Sequence, residues 1–174
     1  MRNNSRTGPT HRGFVHGLFF VAMVLFFANG SAEDAGQDEA LAEAWQAYSD
    51  AVESGRASRI LKTSQTVAEI AGELLPDTDP RLAKILQNYG VALRRGKKKE
   101  QAREVLGHSL ELMENTYGKD SIELVPVIAD LGDAHSSTGN SNRQMVHYKR
   151  AMKIVGKQHG KQSLEYADIA MRAA

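Results

Sequence analysis

Apolar side chains recur along this chain at helical spacing, in stretches short enough to be single helices of a bundle. Leu82, Ile85, Leu86, Tyr89 and Leu93 fall at i, i+3, i+4 positions, and Val105, Leu106, Leu110 and Met113 repeat that stripe beyond a turn at Gly96. Further on, Leu124, Ile128, Leu131 and His135 form one stripe, and Met145, Tyr148, Met152 and Val155 form another. Upstream, Leu41, Trp45, Tyr48 and Val52 predict a helix, followed after Gly55 by a second one carrying Ile60, Leu61, Val67, Ala68 and Leu75. No strand-like alternation interrupts this order, so the pattern predicts an all-α body of helix pairs.

The pairs repeat. Tyr117-Gly118-Lys119-Asp120-Ser121 matches His159-Gly160-Lys161-Gln162-Ser163 at an offset of 42 residues. The same offset aligns Gly90 with Gly132, Ala92 with Ala134, Leu86 with Ile128, Leu106 with Tyr148, Leu110 with Met152 and Leu112 with Ile154. A further step back from Ser121 reaches Asp79, in Leu75-Pro76-Asp77-Thr78-Asp79-Pro80. One aligned glycine would mean little, whereas glycines, small residues and apolar residues in one frame mean a repeat. Asp79 and Ser121 stand where a short oxygen-bearing side chain caps the first helix of a unit. Pro80 suits a first helical position, and Gly118 and Gly160 suit the ends of second helices. Pro126 predicts a first-turn position or a small kink. Gly90, Ala92, Ala102, Gly132, Ala134 and Ala151 are small enough to let neighbouring helices approach closely.

These residues resemble the tetratricopeptide repeat: Gly-x-Ala in a first helix, a Gly near the turn, Ala opening the second helix, and Leu or an aromatic residue four positions later. The 42-residue length and the Asp-Pro or Lys-Asp-Ser breaks are similar to the kinesin-light-chain subclass. The resemblance covers two clear units, about 79–120 and 121–162, and a degenerate one at about 36–78; residues 163–174 read as a capping helix. Ile60 stands where Ala102 does in the second unit, Gln144 takes that place in the third, and His135 replaces Leu93. The resemblance implies a short right-handed α-solenoid of antiparallel hairpins with a concave face lined by first helices. It places Lys84, Gln87, Val91, Arg94 and Arg95 on that face in one unit, and Ala129, Asp133, Ser136 and Ser137 in the next. A peptide or a partner helix is the implied ligand, with Arg94 and Arg95 engaging its carboxylates.

The N-terminus reads differently. Residues 1–32 hold Arg2, Arg6 and Arg12 and no acid; Gly13 to Ala28 is hydrophobic, strictly apolar from Leu18 to Ala28; Gly30, Ser31 and Ala32 are small. That is the three-part layout of a secretory signal. The apolar run is shorter than the roughly 20 residues that span a bilayer comfortably. Two readings stay open: a cleaved signal before a domain at 33–174 that is periplasmic or secreted, or an uncleaved segment that holds the protein in the inner membrane facing outward through residues 13–28.

Composition narrows the chemistry. No cysteine is present, which excludes disulfides, thiolate metal sites, Cys nucleophiles and a lipid-modified cysteine. After Ala32 the chain carries 19 basic and 21 acidic side chains, which gives no general reason to expect a nucleic-acid partner. The histidines His108, His135, His147 and His159 are scattered, and none shows the two-on-one-face spacing of a zinc site. His135 lies on an apolar stripe and reads as a packed side chain. Asp130 and Asp133 read as residues of an ordinary solvent face rather than an acid–base pair. No phosphate loop, dinucleotide fingerprint or nucleophile elbow occurs, so no enzyme, metal or cofactor is expected. Arg94-Arg95-Gly96-Lys97-Lys98-Lys99 is the strong charge feature, either a solvated turn or a contact for an acidic partner or anionic headgroups. The alternative to a binding module is a structural protein that self-associates as a homo-oligomer.

Overall fold

The computed structural model describes residues 32–136 and 141–173. The expected signal run at 13–28, the small residues Gly30 and Ser31, and Ser137 lie outside the described residues. The chain divides into two compact units, Met1–Glu39 and Ala40–Ala174. Seven α-helices and no strands occur among the described residues: α1 Ala32–Ser54, α2 Ala57–Leu74, α3 Pro80–Arg95, α4 Lys99–Tyr117, α5 Val125–Ser136, α6 Ser141–Gln158 and α7 Leu164–Ala173. None of them is long and apolar enough to cross a membrane. From α2 to α7 each helix packs on its chain neighbour, and short connectors make successive helices antiparallel.

Local chemistry sets the helix ends. Asp79 Oδ1 accepts the Arg81 amide at 2.8 Å, and Pro80 occupies the first turn, where its missing N–H is no loss. The break between hairpins recurs with one backbone hydrogen bond, every 42 residues. The Asp79 amide donates to the Pro76 carbonyl at 2.8 Å, Ser121 to Gly118 at 3.3 Å, and Ser163 to Gly160 at 3.3 Å. Gly118 and Gly160 hold φ of +83° and +84°, which a side chain would strain. Ser163 caps α7, its Oγ accepting the Tyr166 amide at 3.2 Å. Ser121 does not cap: its hydroxyl bonds Glu123, and a 3₁₀ turn at Ile122–Leu124 leads into α5 instead. Pro126 therefore falls in the first turn of α5 and leaves no kink to explain.

The turn from α3 to α4 follows a different rule. Gly96 sits close to α2: a Cβ there would lie 3.0 Å from Leu61 Cδ2, so that methyl group would have to yield. The left-handed position falls one residue later, on Lys97, with φ 63°. The Lys97 and Lys98 amides then close the helix on the Arg94 and Leu93 carbonyls at 3.0 and 2.9 Å. A lysine in that conformation costs on the order of 1 kcal/mol.

The core runs between helix pairs. Leu93, Leu106, Leu124, Val127, Ile128, Tyr148, Ile154 and Val155 are almost fully buried, and Leu41, Ala51, Val67 and Ala71 continue it through α1 and α2. Leu86 and Tyr89, expected on the α3 stripe, are only half-buried. In the α3–α4 and α5–α6 hairpins a side chain of the second helix is seated on a glycine of the first. A Cβ at Gly90 would lie 2.5 Å from Leu106 Cγ, and one at Gly132 would lie 3.0 Å from Tyr148 Cε1. Ser109, also fully buried, donates to the Ala83 carbonyl at 2.6 Å and ties α4 to α3. Between units, Arg150 of α6 reaches Glu114 of α4 at 2.6 Å and the Lys119 carbonyl at 2.7 Å.

Glycine-to-alanine substitutions separate packing from propensity. Alanine gains about 1 kcal/mol over glycine inside a helix, and overpacking costs about 1–3 kcal/mol. Nothing lies within 4 Å of a Cβ at Gly72, so Gly72→Ala is expected to stabilise by about 1 kcal/mol. At Gly90 the obstacle is the branching carbon of a buried leucine, so Gly90→Ala is expected to lose about 1–2 kcal/mol in urea denaturation. Equal stabilities for the two variants would refute this packing.

Candidate functional site

The residues assigned to the concave face come from two successive first helices, α3 and α5, and the structure adds a third, α7. Helix α3 carries Lys84, Gln87, Val91 and Arg94 at three- and four-residue spacing, which sets them on one face. Helix α5 presents Asp130 and Asp133 one turn apart, and α7 presents Arg172. They join side chain to side chain. Gln87 Nε2 donates to Asp130 Oδ2 at 2.7 Å, and Lys84 Nζ donates to Gln87 Oε1 at 3.0 Å. Arg94 lies 3.3 Å from Asp133. Arg172 grips Asp133 with two nitrogens, at 2.7 and 3.3 Å, and reaches Asp130 at 3.4 Å. The Tyr148 hydroxyl of α6 donates to Asp133 from below. The result is a polar strip across α3, α5 and α7, ordered Arg94, Asp133, Arg172.

Partial burial tunes these groups. The side chains of Asp130 and Asp133 are only 16% and 20% exposed. Burial raises the Asp130 carboxyl above its ordinary range, despite the Gln87 hydrogen bond and the Arg172 and Arg94 charges. Burial also raises Asp133, but hydrogen bonds from Arg172 and Tyr148, with the Arg172 and Arg94 charges, outweigh it and leave that carboxyl lowered. Burial lowers the Lys84 ammonium, against the pull of Asp130. Tyr148 is pushed up to about 12 by burial and by its bond to Asp133. Arg94 Nε is buried without a hydrogen-bond partner.

Of the sequence candidates, Lys84, Gln87, Arg94 and Asp133 are thus brought together. Val91 is half-buried on the same helix. Arg95 is exposed, and its charge acts on Tyr48 of α1, not on Asp133. Ala129 is buried and Ser136 exposed. Two readings change. Asp130 and Asp133 are not on an ordinary solvent face: they are half-buried and bonded to three other helices. Arg94, expected to await a partner's carboxylate, already faces one within the chain. Arg172, Asp130 and Tyr148 were missed, although a signal existed, since Asp130 and Arg172 stand 42 residues apart with opposite charge.

A second polar feature lies between α5 and α6. His135 is buried and stacks on His147, with ring centroids 5.1 Å apart and planes within 7°. Burial lowers the His135 imidazole, as do the charges of Arg103 and Arg143. His147 is pushed down to about 4 by burial, then by His135, Arg150 and Arg143. Among the described residues no group of three His, Cys, Asp or Glu side chains is placed to hold a metal ion.

Stacked antiparallel helix pairs with glycine-seated contacts 42 residues apart fit a tetratricopeptide-like helical repeat fold. Among solved structures, the chain is similar to BtubC (BKLC) from P. vanneervenii, with a TM-score of 0.50 and 14% sequence identity over 80% of this chain. The match spans 63% of that protein's length. No protein-family model and no curated protein matches the chain.

Two stability measurements probe the site. Asp133→Asn leaves Arg94 and Arg172 short of a half-buried counter-charge, and is expected to cost about 1–3 kcal/mol in denaturation. A loss equal to that of an exposed control such as Asp168→Asn would show the strip to be superficial. The acid limb separates the histidines from the carboxylates. Between pH 6.5 and about 4 the unfolded chain binds a proton at His147 that the folded chain refuses, so stability falls as pH falls through that window. The lowered Asp133 adds loss only below its ordinary value of 3.8, and the raised Asp130 acts with opposite sign. His147→Gln is expected to flatten the pH 6.5 to 4 slope; an unchanged slope contradicts the assignment.

Proposed function

We propose that this chain is an exported, non-catalytic interaction scaffold: a short right-handed solenoid of the kinesin-light-chain-like repeat subclass that holds a peptide or a partner helix on the face lined by α3 and α5. The observation that carries this reading is the polar strip. It spends half-buried charge on fixing three first helices relative to one another, and so keeps the surface beside it rigid. Pre-organised surfaces bind with less ordering cost. Val91 and Ser136 flank the strip as contact positions, while Lys84, Gln87, Arg94 and Asp133 set their spacing. The fold likeness and the absence of a catalytic motif in the sequence support a binding role over an enzymatic one. Export rests on the basic, apolar and small-residue order of residues 1–32.

One observation favours a second reading, self-association. Helix α7 leaves Leu164 and Met171 exposed at 87% and 73%, seven residues apart on one side of the helix. Light scattering of the purified chain distinguishes the two: a monomer excludes assembly through α7.

The scaffold reading is tested by affinity capture from the envelope with the full chain and with Val91→Glu/Ser136→Glu, two substitutions outside the polar strip. The expected result is a protein retained by the former and at least tenfold depleted with the latter, at equal helicity by circular dichroism. Identical capture by both would remove the concave face. Mass spectrometry of the mature N-terminus is expected to show Glu33 first; an intact Met1 would favour the anchored form.

A further inference from the structure

Antiparallel hairpins place every turn within a hairpin on one edge of the stack, and every turn between hairpins on the other. The first edge gathers the Gly55-Arg56 turn, the Gly96–Lys98 turn and the opening turns of α2, α4 and α6. One close approach and two electrostatic interactions mark this convergence. Leu61 of α2 abuts Gly96, Arg95 acts on Tyr48 of α1, and Arg103 and Arg143, from α4 and α6, both act on His135. Arg56, Arg59, Arg95, Lys97, Lys98 and Arg143 are exposed there. Only Glu53 and Glu100 bring acid to the same turns.

Several arginines of this edge lack the internal counter-charge that others have. Arg81, Arg94, Arg103, Arg150 and Arg172 each pair with a carboxylate. Arg56, Arg59 and Arg95, all on this edge, form no ion pair among the described residues. Lys97 holds the left-handed position of its turn, where glycine would sit without strain. Strain kept at an exposed turn points to use of the side chain that bears it. The positive charge also registers on a neighbour, since Arg143 helps to depress the half-buried His147 imidazole.

We infer that this edge is a docking surface for an acidic segment of a protein partner, bound by carboxylates along the row Arg56, Arg59, Arg95, Lys97, Lys98 and Arg143. The guanidinium groups of Arg56, Arg59 and Arg95, which form no ion pair among the described residues, match carboxylates two bonds at a time. A membrane would call for apolar side chains beside the cations, and Val146 alone is exposed near Arg143. Single-stranded nucleic acid would call for aromatic platforms, but among the described residues the exposed aromatic side chain, Tyr117, ends α4 at the opposite edge. The inference rests on the scaffold reading for the existence of a partner, and on a different surface from the concave face.

The test titrates the full chain with a fluorescein-labelled twelve-residue Glu/Asp peptide at low and physiological salt. Three further chains are compared: Arg56→Glu/Arg59→Glu/Lys98→Glu on the edge, Lys149→Glu/Lys153→Glu away from it, and Lys97→Gly. Expected are saturable binding that weakens with salt, at least a tenfold loss for the edge variant, and less than a twofold loss for the distant one. Lys97→Gly is expected to bind about threefold more weakly while melting at a higher temperature, a combination that general unfolding does not give. Bound peptide should also raise the His147 pKa in an NMR titration. Equal losses in the edge and distant variants would overturn the inference, and so would tighter binding to phosphatidylserine vesicles or to a twelve-nucleotide oligo-dT. None of these outcomes depends on Val91 or Ser136, so failure here leaves the concave-face reading standing.

Discussion

The fold depends on one steric fit, made twice: a bulky side chain of α4 and of α6 rests on a glycine of the helix before it. Leu106 on Gly90 and Tyr148 on Gly132 bring the backbones close, and both seats fall at the same place in their hairpins. Close approach lets the smaller contacts form. Ser109 can then reach the Ala83 carbonyl, and Ala92, Ala102, Ala134 and Ala151 can be buried without leaving gaps. A side chain at either glycine would separate a hairpin and shift every helix after it, because each unit in such a stack contacts chiefly its neighbours.

On that scaffold the polar strip is a consequence of register. Helices held at fixed spacing bring Arg94, Asp133 and Arg172 into line, although 78 residues separate the first from the last. Taking such groups partly out of water is costly unless each finds a partner. Here Gln87, Tyr148 and Arg172 supply the bonds. The opposite signs of the Asp130 and Asp133 shifts record how unevenly they are shared. Asp133 has two arginines and a hydroxyl; Asp130 has an amide, a longer arginine contact and deeper burial. The strip therefore ties α3, α5 and α7 to one another side chain to side chain.

Much of this was legible in the chain. The 42-residue offset located the glycine seats, the Asp79 cap and the left-handed glycines because each is a local backbone requirement with a residue signature. Ser121 misled, since its hydroxyl found the Glu123 carboxylate nearer than a helical amide. Leu86 and Tyr89 also misled, because helical spacing tells which side is apolar but not how far the next helix covers it. The pairing of Arg94 with Asp133 was invisible to a reading one helix at a time: it needs two units stacked in register. Asp130 and Arg172 could have been found by asking the repeat which positions carry opposite charges in successive units.

The most direct test of the account is proton–proton contact at the glycine seats, read by nuclear Overhauser spectroscopy of the labelled domain. The account predicts strong cross-peaks from the Gly90 α-protons to the Leu106 methyl groups and from the Gly132 α-protons to the Tyr148 ring. Cross-peaks linking Leu106 or Tyr148 to a different helix face, with none to these glycines, would contradict it.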